Sequence, residues 1–317
     1  MTSLRRIGQS GLATVPLILG GNVFGWTADQ ATSFAILDAF VAGGGTMIDT
    51  ADVYSLWVPG HKGGESESVI GAWLRQRGRR DDVVITTKVG MIPGTGLAPA
   101  AIAAAVDASL ARLGTDYIDL YLAHRDDDTQ DQLAVAQAFD ALVTAGKVRV
   151  IGASNFSADR LASALALQES HGLARYQVLQ NEFNLLKRDG YEGAVQELCV
   201  ALLIAMTPFY GLANGYLTGK YRSAADLVGV RAGRVGKYVA GNGPHVLAAL
   251  DAVAAAHAAT PAQVALAWIA AQPGIAAPIA SATSVAQVEE LVGTIRLTLT
   301  PDDLAALDRA STPGVPA

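Results

Sequence analysis

The sequence predicts an α/β fold, a single (β/α)8 barrel of the TIM type spanning residues 1–317, on three observations. Short apolar, β-branched runs alternate with longer amphipathic stretches along nearly the whole chain, the pattern of repeated βα units. The runs number eight, which suits a closed barrel rather than an open doubly wound sheet. Several end in a polar or ionisable residue, at the strand ends where a parallel barrel exposes its chemistry.

In chain order, Gln9-Ser10-Gly11 signals a short hairpin ahead of the barrel. Strands are expected at 17–20, 47–49, 83–88, 118–122, 148–153, 178–181, 203–207 and 275–278. Between them, Ile102, Val106, Leu110 and Leu113 recur at helical spacing after Pro99, and Gly114 supplies the stop. Thr260-Pro261 and Ser284 with Gln287 mark two helix starts, the second as a capping box. The Ala-rich tracts at 100–105 and 252–259 are helix formers. Residues 222–243, after the seventh strand, are expected to form a long irregular loop, either a lid or clamp or a functionless insertion.

Composition narrows the function classes. A net charge of -6 and a pI near 5.3 leave no basic stripe for phosphates, so nucleic-acid binding is not expected. Cys199 is the only cysteine, which excludes an internal disulfide, fits a reducing, cytoplasmic setting and is expected to be buried and inert. No window reads as a membrane span. GGNVFG misses the dinucleotide fingerprint because Asn22 stands where a glycine is needed, and no nucleophile elbow, Walker loop or metal-binding spacing occurs. Arg125-Asp126-Asp127-Asp128 reads as a solvated capping loop. His61, His171, His245 and His257 have no partners at metal-ligand spacing and read as surface or loop residues.

Four residues fall at or just beyond different strand ends: Asp49 and Tyr54 in MIDTADVY, Lys88 in VITTKVG, and His124 in DLYLAHRDD. Singly, each has an ordinary explanation: a hydrogen-bonded cap for Asp or Tyr, a solvated side chain for Lys. An acid, a phenol, an amine and an imidazole converging from neighbouring strands read instead as one catalytic pocket.

The segments IDTADVY, ITTKVG, LGTDYIDLYLAHRDD, GKVRVIGASNFS, LQNEFNLL and GYLTGKYR, in this order, resemble the aldo-keto reductase superfamily over nearly the whole chain. The resemblance is closer to the bacterial branch related to potassium-channel β-subunit-like reductases than to the aldose-reductase type. It implies a nicotinamide-dependent enzyme that reduces aldehyde and ketone carbonyls, with Tyr54 as proton donor. A free phenol is a poor acid near neutrality, so a neighbouring cation must stabilise the phenolate; Lys88 matches it, and Asp49 matches the carboxylate that keeps a buried ammonium charged. His124 would orient the carbonyl or share in proton transfer.

The same resemblance implies that Ser154, Asn155 and Gln180 bind the nicotinamide carboxamide and that Phe209 stacks on the ring, with Tyr210 one register away as the alternative. Leu212, Gly219 and Lys220 would meet the pyrophosphate, and Ser281, Thr283 and Gln287 the adenosine phosphate. Relatives often carry a cation and an Asn in the last segment, where this chain has Ser281, Thr283, Gln287 and Leu291. NADP(H) is nonetheless expected over NAD(H), with Arg231, Arg234 or Lys237 as compensating cations. Trp26 and Trp57 are expected to wall the substrate pocket, favouring flat or apolar carbonyl compounds. Trp73 and Trp268 read as interhelix core. The competing reading is a nicotinamide-binding regulatory or sensor subunit with little turnover, which would require an exposed apolar partner patch.

Overall fold

The computed structural model describes residues 4–228 and 232–312. A hairpin of β1 (Arg5–Arg6) and β2 (Ala13–Thr14) precedes eight parallel strands. These are β3 (Ile18–Gly20), β4 (Met47–Asp49), β5 (Val84–Val89), β6 (Ile118–Ala123), β7 (Val148–Ser154), β8 (Tyr176–Gln180), β9 (Ala205–Met206) and β10 (Ile279–Ala280). They pair in the order β10-β3-β4-β5-β6-β7-β8-β9, and a parallel bridge between Met206 and Ile275 closes the ring. Around it run α1 (Gln30–Ala42), α2 (Glu65–Arg77), α3 (Pro99–Leu113), α4 (Gln132–Thr144), α5 (Ala158–Ser170), α6 (Ala194–Ala201), α7 (Ala232–Val239), α8 (Gly243–Ala256), α9 (Pro261–Ala271), α10 (Val285–Val292) and α11 (Pro301–Ser311). Among the described residues no single helix is long and apolar enough to cross a membrane.

Strand parity divides the core in two. Alternate residues face inward, where Ile18, Met47, Leu120, Leu122, Val150, Val178 and Ala205 fill the barrel with Ile7 of the hairpin. The other parity packs against the helices, with Ile48, Ile85, Tyr121, Ile151 and Leu179 meeting Trp73, Phe139 and Leu161. At Gly152 a Cβ would come within 2.6 Å of Leu122 and 2.7 Å of the Val178 carbonyl, so that inward position tolerates no side chain. Trp73 and Trp268 lie in the core as expected, their indole N–H groups bonded to Asp38 and Asp308. Cys199 is fully buried, and burial pushes its thiol up to about 12.

Local differences from the sequence reading have physical causes. The eighth strand is not one run over 275–278. Ile275 bridges to β9, and β10 then pairs with β3; Pro278 lies between, lacking the N–H that a continuous ladder needs. Residues 222–243 are not a bare loop: Ser223 and Asp226 form a reciprocal capping box on a 3-10 turn at Ala224–Asp226, and α7 follows. Gln287 does not complete a box with Ser284; its side chain reaches one residue further back, accepting from the Thr283 N–H at 2.9 Å and from the Thr283 hydroxyl at 3.1 Å. His257 has a partner, Asp303 at 2.7 Å, which ties the α8 terminus to α11. Asp126 pairs with Arg160 and Asp127 accepts from the Leu97 N–H, so the acidic run ties neighbouring segments together, and the cap of α4 is Asp131 instead.

Candidate active site

The site is the continuation of inward parity past the last apolar layer. Met47 is followed two residues on by Asp49, Leu122 by His124, Val178 by Gln180, and Val84 leads through Thr86 to Lys88. Side chains too polar for the barrel interior therefore converge at its C-terminal mouth, and the topology needs no long-range coincidence to gather them.

Lys88 is the hub. It is fully buried, and its ammonium donates to Asp49 Oδ2 at 2.7 Å, the Thr50 carbonyl at 2.8 Å and the Tyr54 phenol oxygen at 2.9 Å, so all three protons are committed. The other Asp49 oxygen, Oδ1, accepts from Gln180 Nε2 at 3.0 Å. The Tyr54 hydroxyl donates weakly to Asp49 Oδ2 at 3.3 Å, and its ring meets the His124 ring edge-on at 5.9 Å. The structure thus brings Asp49, Tyr54, Lys88 and His124 into one cluster.

Electrostatics follow from burial. Desolvation draws the Lys88 ammonium below its usual range, and the Asp49 carboxylate opposes this. Burial, then the Asp49 charge, its hydrogen bond and nearby Tyr210, raise the Tyr54 phenol well above its ordinary value, so Tyr54 is protonated rather than poised as phenolate. Burial, with Lys88 and Arg125 adding to it, holds His124 neutral, and its Nδ1 has no partner among the described residues.

Ser154 and Asn155 lie beside this cluster. The Ser154 hydroxyl donates to the Gln180 carbonyl at 2.7 Å, and Asn155 Nδ2 donates to the His124 carbonyl at 2.9 Å from a left-handed backbone position. Phe209 caps the apolar barrel interior, its ring edge-on to exposed Tyr210 at 5.2 Å. Leu212 begins a 3-10 turn at Ala213–Thr218 that ends at left-handed Gly219; Lys220 projects to solvent over the Tyr221 ring. Ser281 donates to Asn22 Oδ1 at 2.6 Å, linking the segment before α10 to the loop after β3. Amides and hydroxyls beside the cluster suit a neutral carboxamide, and His124 Nδ1 offers a further polar contact at the mouth, so the chemistry of these residues fits a nicotinamide group.

Two of the expected cations stand on a helix that packs elsewhere than α10. Arg234 and Lys237 sit on α7, which packs on 213–218 and α8, whereas α10 packs on α1, α9 and the turn at Gly293–Arg296. Arg231 lies outside the described residues. Trp26 and Trp57 stand edge-on at 5.6 Å, and Trp57, 49% exposed, leans on the Tyr54 ring at 6.2 Å, so both border the mouth. Sequence reasoning missed Asn22, Thr50 and Asp52. The first sits in the motif rejected as a fingerprint, the second acts through a backbone carbonyl, and the third adjoins Tyr54 without facing the mouth.

A closed βα barrel carrying a buried acid, amine, phenol and imidazole at its C-terminal mouth defines a barrel protein with a site suited to proton transfer. The chain belongs to the aldo/keto reductase family, whose model matches residues 16–312. It is similar to Protein tas of Escherichia coli (strain K12), at 31% identity over 96% of both chains. It is also similar to aldo-keto reductase str7 of Strobilurus tenacellus, at 33% over 96% of this chain and 90% of the other. A third relative is norsolorinic acid reductase B of Aspergillus parasiticus, at 30% over 93% of this chain and 80% of the other.

Proposed function

We propose that the protein reduces aldehyde or ketone carbonyls to alcohols with a nicotinamide cofactor, NADP(H) in preference to NAD(H), using Tyr54 as proton donor. The observation that carries this reading is the Lys88 ammonium, buried and shared between Asp49 and the Tyr54 phenol. A bound nicotinamide supplies the hydride. Tyr54 gives its proton to the developing alkoxide, and the phenolate left behind lies 2.9 Å from the Lys88 ammonium, which stabilises it as it forms. Asp49 compensates the burial of Lys88, while Gln180 fixes that carboxylate from the far side. Neutral His124 offers the carbonyl oxygen a hydrogen-bonding group without adding charge. Trp26 and Trp57 give the substrate an aromatic wall, which favours flat or apolar compounds. Ser154, Asn155 and Gln180 would hold the carboxamide, Phe209 or Tyr210 the ring face, Leu212, Gly219 and Lys220 the pyrophosphate, and Ser281, Thr283 and Gln287 the adenosine end. The NADP(H) preference is supported by the family resemblance; no described cation of α7 adds to it. A cytoplasmic setting is supported by the lone buried thiol.

The test is NADPH and NADH consumption with aromatic and aliphatic aldehydes, wild type beside Tyr54→Phe. Tyr54→Phe should lower turnover by roughly 10²- to 10⁴-fold while retaining nucleotide binding. Near-normal rates in Tyr54→Phe would remove the proton-donor assignment, and nucleotide binding without any turnover in the wild type would favour the sensor reading.

A further inference from the structure

Between the barrel wall and helices α2 and α3 lies a second buried polar cluster that the proposed chemistry does not use. Outward parity builds it. Thr87 precedes Lys88 on β5 and points the opposite way, where its hydroxyl donates to Glu67 Oε1 at 2.6 Å. Glu67 is fully buried, and Arg112 Nε donates to its Oε2 at 2.6 Å while Arg112 also reaches Ser109. Asp52 joins the cluster at 2% exposure, and its backbone N–H donates to the Lys88 carbonyl at 3.2 Å.

Asp52 is the unsatisfied member. Its Oδ1 is buried without a partner among the described residues. Arg112 donates to Glu67 and Ser109 rather than to Asp52, and the three Lys88 protons go to Asp49, Thr50 and Tyr54. The Val53 N–H and the Arg112 charge favour its ionised form, but a buried carboxylate with one oxygen unpaired is costly, whereas a buried carboxylic acid is tolerated. The charged and titratable groups around it are Asp49 on β4, Lys88 on β5, Tyr121 on β6, Glu67 on α2 and Arg112 on α3. Lys88 balances Asp49 and Arg112 balances Glu67, so the set is neutral only while Asp52 keeps its proton.

We propose that Asp52 is a positioning residue for carbonyl reduction: as the neutral acid it preserves the charge balance behind Lys88, and its ionisation opposes phenolate formation at Tyr54. The inference rests on the Tyr54 and Lys88 roles proposed above. Burial first, and then the charge of Glu67, push the Asp52 carboxyl up to about 7, so the change falls within the working range of pH. As pH rises through that value the proton passes to solvent and the site gains one negative charge. Reduction then weakens by about three- to tenfold, the scale of one added charge at partly screened distance.

The test uses the full chain with carbon-13 at the aspartate carboxyls and the tyrosine Cζ atoms, the Asp52 and Tyr54 signals being assigned with Asp52→Asn and Tyr54→Phe. The Asp52 carboxyl is expected to titrate near 7, the Tyr54 signal to shift with the same midpoint, and that shift to vanish in Asp52→Asn. In parallel, the pH profile of kcat/KM for aldehyde reduction should step down about three- to tenfold through that midpoint in the wild type and lack the step in Asp52→Asn. An Asp52 midpoint below about 5, or a step or Tyr54 shift that persists in Asp52→Asn, overturns the proposal. Should Asp52→Asn not fold, Glu67→Gln replaces it, with the Asp52 midpoint expected to fall by about one unit; an unmoved midpoint overturns the coupling. If no carbonyl is reduced, the reductase reading fails separately, because the Tyr54 signal still reports whether Asp52 governs the site.

Discussion

Asp119 and Asp52 are both 2% exposed, yet the barrel treats them in opposite ways. Asp119 stands near the start of β6. Its Oδ2 accepts from Arg80 at 2.6 Å and from the Ile85 N–H at 2.9 Å, and its Oδ1 accepts from Arg149 at 2.9 Å. The same two guanidinium groups flank the Tyr117 ring at 4.5 and 3.9 Å. Asp52, just past the end of β4, has one oxygen with no partner among the described residues and shares the Arg112 charge with a second carboxylate, Glu67. The Asp119 site saturates its buried charge, and the Asp52 site does not. Saturation serves stability, and groups left partly unsatisfied stay free to exchange protons.

Mutations at the two ends should separate these roles. The largest effect is expected at the mouth: Lys88→Met should cost roughly 10²-fold or more in turnover per folded molecule, with nucleotide affinity little changed, as checked by steady-state rates beside nucleotide titration. Preserved turnover would detach Lys88 from the chemistry. At the other end, Asp119→Asn strands the half-buried Arg80 and breaks both ion pairs, so stability in denaturant should fall by about 2–3 kcal/mol while kcat per folded molecule holds. A loss of kcat without loss of stability would erase the contrast between the two ends.

The third effect is conditional on pH. The Asp52 midpoint, about 7, lies above its ordinary value, so the contribution of Asp52 to stability is fully present below about pH 4, declines as pH rises toward 7 and is flat beyond. Wild type should therefore lose stability relative to Asp52→Asn over that window, by about 4 kcal/mol at most. Denaturant curves for both proteins at several pH values read the gap, and a constant gap would mean that Asp52 folds already ionised.

Much of this was legible in the residues because parity is a local property. Asp49, Lys88, His124 and Gln180 sit at fixed steps beyond apolar residues whose inward direction the strand pattern already sets. The hairpin, the α3 stop at Gly114 and the burial of Trp73 and Trp268 were equally local. What escaped depended on tertiary neighbours. Gln287 had two capping targets at similar reach, and only the fold selects Thr283 over Ser284. The helix inside 222–243 draws on packing against 213–218 and α8 that the sequence does not display. The protonated state of Tyr54 depends on burial and on Asp49, where the sequence pointed to the nearby amine instead.

The closure between β9 and β10 has a mechanical consequence. Neighbours such as β5 and β6 share a ladder of four paired positions, whereas the seam is carried by Met206 N–H to Gly274, Ala276 N–H to Met206 and Ile279 N–H to Pro208. Breathing motions of the cylinder should concentrate there, and its amides should exchange with solvent sooner than those of the β5 and β6 wall. The proposed dinucleotide contacts, 209–220 on one side and 281–287 on the other, straddle this seam, so a bound nucleotide would act as the clasp that turns a split ring into a rigid one.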